Sequence, residues 1–179
     1  MRIALPALCG LVFLSTGFAA PARAQDLHIN PTEAVLKATS PNAAQKKRLD
    51  ALAEATQKKG QAALEAVGPM MEKRIDAMTK SEDFIAKVAA TEKLSEAEQK
   101  TEMGKLTSGM IAEIRPEMEK TMFQKMRGIL VEYFASAARL MKPAQKPKLE
   151  KARIAYFKNF DKEIPGAIKS MVDSAVKGE

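Results

Sequence analysis

The chain runs to 179 residues with 29 Lys and Arg against 22 Asp and Glu, a formal charge of +7, one His, one Cys and no Trp. A lone cysteine excludes an internal disulfide, and the ligand spacings of a structural zinc site are absent. With a single His, hydrolysis built on Ser-His-acid or Cys-His pairs is not expected.

The first element is a targeting signal. Arg2 precedes an uncharged apolar stretch over 3–18, and Ala22-Arg23-Ala24 follows with small residues at the positions that a signal peptidase reads. This predicts a secretory signal peptide over 1–24, cut after Ala24, with a helical domain over 25–179. An apolar run of about 16 residues is short for a membrane core, so the expected product is periplasmic or secreted and not transmembrane after processing. Cleavage removes Cys9, Arg2 and Arg23, leaving 155 residues with 27 basic and 22 acidic side chains, net +5. In that compartment nucleic acid is not an expected partner. An envelope protein, an anionic lipid surface or a small apolar ligand is, and no cofactor is implied. His28 is fourth from the new N-terminus, whereas an amine–amide–His metal site needs it third, so it reads as an ordinary terminal residue.

The rest of the chain is rich in Ala, Lys, Glu, Met and Leu, without strand-like alternation. This predicts an all-α, single-domain bundle of about six or seven helices. Asn30 followed by Pro31 and Thr32 starts a short helix ending near Thr39. Ser40-Pro41-Asn42 opens a second, with Leu49, Leu52, Ala53, Leu64 and Val67 on one face and Gly60 as a weak point. Gly68-Pro69 ends or kinks it. Met71, Ile75 and Met78 lie on a third. Ser81 starts a fourth through Phe84, Ile85 and Val88. Ser95 with Glu98 is a capping box. The pattern then stays helical to about Met141, with a break or kink expected at Pro116. Pro143 and Pro147 bracket a loop or helix start. Leu149, Ile154, Phe157 and Phe160 mark another helix, and Pro165-Gly166 is expected to begin the last.

One face steps by three or four through Met103, Leu106, Met110, Ile114, Met118, Met122, Met126, Ile129 and Tyr133. Nine apolar positions on one side of a helix are a core-facing signature. Phe123, Leu130, Phe134 and Ala137 widen the stripe, so this helix is expected to be central and touched from two sides. A copper site needs sulfurs that converge, yet residues at i and i+8 are about 12 Å apart along the axis. Packing is therefore the expected role. Its functional variant is an apolar groove lined by Met110, Met118, Met122 and Met126, because methionine adapts its shape.

Two sets of charges follow. Glu96, Glu98 and Glu102, and Glu113, Glu117 and Glu119, are interleaved with Lys93, Lys100, Lys105 and Lys120, the pattern of a solvated, ion-paired face. The basic stretch is more distinctive: Arg139, Lys142, Lys146, Lys148, Lys151, Arg153 and Lys158 stand against Glu150 alone. Lys46, Lys47, Arg48, Lys58 and Lys59 add to it in sequence. Contact with an anionic surface is the chemistry this predicts. Tyr156, Phe157 and Phe160 lie among these charges, either as a membrane edge or as core.

The run IAEIRPEMEKTMFQKMRGILVEYF, residues 111–134, resembles a family of exported bacterial all-helical domains of unknown function. Pro116-Glu117 and Tyr133-Phe134 carry the resemblance; Tyr156-Phe157 is reversed and Pro165-Gly166 is offset from that family's pattern. About a third of the chain is covered. The resemblance implies an all-helical exported domain and brings no catalytic residue with it. The expectation is a non-catalytic binding module of the cell envelope, with a metal-handling protein or a hydrolase using Met or carboxylate side chains as the alternative.

Overall fold

Side-chain caps decide where several helices begin. In the computed structural model, which describes residues 30–177, Asn30 Oδ1 accepts from the Thr32 amide at 3.0 Å at the start of α1, Thr32–Thr39. Asn42 and Gln45 cap each other reciprocally at the head of α2, Ala43–Glu65, with 2.8 and 3.0 Å bonds. Ser81 accepts from Phe84 N at 3.2 Å to open α4, Glu82–Thr91. Glu98 takes the Ser95 amide at 3.0 Å and its hydroxyl at 2.5 Å at the head of α5, Glu96–Leu140. These two bonds hold the Glu98 carboxyl below its ordinary pKa, the hydroxyl contributing most. Each such cap is worth about 1 kcal/mol.

The prolines behave in two ways. α3 spans Val67–Thr79, and the break before it falls at Ala66, close to Pro69. Pro69 has no amide to offer the Glu65 carbonyl and its ring crowds that turn, so α2 stops there. Pro116, where a break or kink was expected, does not break its helix, and Pro165 lies inside a helix instead of beginning the last one. α5 runs unbroken through Pro116, and α6, Lys146–Lys177, runs unbroken through Pro165. A proline costs an interior helix about 3 kcal/mol. Here buried Ile114 and Met118 flank Pro116, and buried Ile168 follows Pro165, so packing outweighs the loss. Pro143–Gln145 forms a 3-10 turn that leads into α6. Among the described residues there are thus six α-helices: a short lead helix and five longer ones packed as a single bundle.

α5 is the axis of that bundle and touches α2, α3, α4 and α6, while α1 lies mainly on α6. Its buried residues are Met110, Ile114, Met118, Met122, Met126, Leu130, Tyr133, Phe134 and Ala137. Those from Ile114 to Ala137 meet Leu49 of α2, Val67 and Met71 of α3, and Leu149, Phe157, Phe160, Ile168 and Val172 of α6 in one continuous core. Aromatic rings fasten α5 to α6: Phe123 to Phe160 at 5.5 Å, Phe134 to Phe157 at 5.7 Å and Phe134 to Tyr156 at 5.6 Å. Phe157 and Phe160 are therefore core residues and Tyr156 is half-buried against them. Thr32 of α1 and Tyr133 of α5 pair their buried hydroxyls at 3.1 Å.

Met126→Ala should destabilise the fold by about 2–5 kcal/mol in denaturant titration, and Met122→Lys by more, because it strands a charge in the core. Burial raises the Tyr156 pKa to about 12, with the Tyr133 charge adding to it. A raised folded pKa means that this stabilisation is intact below the unfolded tyrosine value, near 10, and is lost as pH climbs toward 12. Absorbance titration should show tyrosine ionisation coinciding with unfolding in that window, and Tyr156→Phe should lessen the loss, leaving the part due to Tyr133, which burial also raises.

Candidate functional site

Two glutamines build a polar junction between four helix ends. Gln45 Nε2 donates to the Leu140 carbonyl at 2.7 Å and to Gln145 Oε1 at 2.9 Å. Gln145 Nε2 donates to the Thr39 carbonyl at 3.0 Å, and Gln145 Oε1 also accepts the Lys142 amide at 2.9 Å. The end of α1, the start of α2, the end of α5 and the start of α6 are thereby tied at one end of the bundle. Helix ends leave carbonyls without partners, and the amide side chains supply them.

Tying those segments together collects charge. Lys46, Lys47 and Arg48 leave α2 beside the junction, and Arg139, Lys142, Lys146 and Lys148 leave the α5–α6 corner. All seven are exposed, and none is ion-paired among the described residues. Neither α2 nor α6 carries an acid in its first turn. Lys146 and Lys148 sit where the helix dipole is positive, an arrangement that costs a few tenths of a kcal/mol each.

The charge continues along α6. Lys148, Lys151, Lys158 and Lys162, with Ala155 between, step by three and four, so they share one helical face, and all are exposed. Ile154 stands beside that stripe with 60% of its surface exposed, the most exposed large apolar residue described. Arg153 departs from the expectation: Glu150 takes its Nε at 2.9 Å and a terminal nitrogen at 2.5 Å. That hydrogen bond also holds the Glu150 carboxyl below the usual range. Five of the six predicted contact residues are thus free cations and the sixth is neutralised. Lys58 and Lys59 do not join them, since Glu54 and Glu132 hold them at 2.8 and 2.6 Å. Sequence reasoning missed Gln45 and Gln145, which carry no charge and match no motif. It also missed Lys162, which completes the three-and-four spacing.

The methionine groove is differently placed. Met110, Met118, Met122 and Met126 are all buried. Of the four, Met118 alone lines the cleft of about 230 Å³ between α3 and α5. Its other apolar lining comes from Met70, Met71 and Ile114, and its exposed residues are Lys73, Arg74, Ala77 and Glu117. Among the described residues no group of three or more His, Cys, Asp or Glu gathers as metal ligands would. Residues 1–29, with the predicted signal peptide, Cys9 and His28, lie outside the described residues. No family model, no curated protein and no solved structure matches this chain.

Gln145→Ala should strip the Thr39 carbonyl and the Lys142 amide of their side-chain partner and take one bond from Gln45, which keeps Leu140 and Asn42, at a cost of about 1–3 kcal/mol. Hydrogen exchange should then quicken at α1 and the start of α2 while α5 stays protected.

Proposed function

We propose that this chain is an exported, non-catalytic binding module that docks on anionic lipid surfaces of the cell envelope. The observation that carries the proposal is the uncompensated cationic stripe of α6, with Ile154 exposed beside it and the Gln45–Gln145 junction adding further cations at one end. Lysines reach headgroups while one apolar side chain enters the interface, which is how a peripheral helix holds a membrane. No described helix is long and apolar enough to cross one. The export signal read over 1–24 supports the compartment. Cations at two helix heads weaken the free protein slightly, and an anionic surface relieves that repulsion.

Vesicle sedimentation tests this. Binding should require anionic lipid and fall steeply as salt shortens the screening length from about 10 Å at 0.1 M to about 3 Å at 1 M. Each lysine near such a surface is worth about 1 kcal/mol, so replacing Lys142, Lys146 and Lys148 by Ala together should lower partitioning roughly a hundredfold. Ile154→Ser should weaken it severalfold and leave the melting temperature in place. Binding that ignores salt, or survives the triple replacement, refutes the proposal.

A further inference from the structure

The cleft between α3 and α5 lies on other elements than the cationic stripe. Its floor is made of the buried side chains of Met71, Ile114 and Met118, with half-buried Met70 beside them. Thioether side chains on unbranched stems re-pack readily around a guest. The mouth carries two cations and one acid. Arg74 Nε lies 3.6 Å from Glu117 Oε2, with both side chains more than half exposed. At that distance the pair is an ion pair without a hydrogen bond, and an exposed one is weak and exchangeable. Lys73 forms no ion pair among the described residues.

We propose that this cleft binds a small anionic amphiphile, a single unbranched acyl chain ending in a carboxylate. The tail lies on the methionine floor, and the headgroup meets Lys73 and displaces Glu117 from Arg74. A dry cavity of about 150 Å³ admits a benzene ring, so 230 Å³ accommodates roughly nine non-hydrogen atoms. That matches the tail of decanoate. The net positive mouth selects a negative head over a neutral one.

Isothermal titration of the full chain with decanoate, and with decanol as the neutral comparison, tests the assignment. Decanoate should bind once per chain, saturably, and more tightly than decanol. Ala77→Phe, at an exposed position of the mouth, should block both ligands. Lys73→Glu should weaken decanoate at least tenfold and spare decanol. Glu117→Gln should release Arg74 and tighten decanoate severalfold, a gain that damaged folding does not mimic. Three results overturn the proposal: no saturable binding up to about 1 mM, the weak limit of useful affinity; unchanged binding in Ala77→Phe; or equal effects of Lys73→Glu on both ligands. Replacing Lys142, Lys146 and Lys148 should leave decanoate affinity as it was, which separates this site from membrane docking.

Discussion

The dry face of α5 is the constraint on which the molecule depends. From Met110 to Ala137 one side of this helix is buried turn after turn, and from Ile114 onward it packs with α2, α3 and α6 in one core. Burying a methionine or leucine contributes roughly 2 kcal/mol, so a few of these residues match the net stability of an ordinary domain. The same packing explains why Pro116 is tolerated. The helix around it is held by neighbours on several sides, and one lost hydrogen bond does not release it.

The surface divides by how its charges are compensated. Glu33 with Lys37, Glu54 with Lys58, Asp76 with Lys80 and Asp83 with Lys87 are neighbours one turn apart on their own helices. Such pairs neutralise their helix locally and contribute a few tenths of a kcal/mol each. Arg127–Asp161 and Arg115–Asp173 link α5 to α6. The lysines of the stripe from Lys148 to Lys162 and the cluster at the glutamine junction have no such partners among the described residues. The two acids of that stripe's stretch, Glu150 and Asp161, are taken by Arg153 and Arg127, so the lysines of this region stand without ion pairs.

Much of the fold was legible because it rests on local rules. The three-and-four spacing of α5 marked its buried face, and Asn42, Ser81 and Ser95 marked helix starts within a residue or so. The errors came from Pro116 and Pro165, where tertiary packing overrode a local preference that sequence alone reads correctly. The candidate surface was half legible. Runs of lysine are visible in one dimension, but the approach of Lys46 to Lys142 depends on Gln45 reaching Leu140 and Gln145 across about a hundred residues. The cleft shares only Met118 with the groove expected from Met110, Met118, Met122 and Met126. Its partners Met70 and Met71 belong to α3, and no periodicity within α5 points to them.

The buried run of α5 begins only at Met110, although the helix starts at Glu96. Its first 14 residues, about 21 Å of helix, carry no fully buried side chain. A methyl group added at Gly104 or Gly109 meets nothing. Amino-acid replacement in this stretch therefore meets little resistance from folding, whereas the turns after it admit few alternatives. Lineages of this protein are free to diverge at the α4 end first, and novelty arising there would leave the rest of the molecule intact.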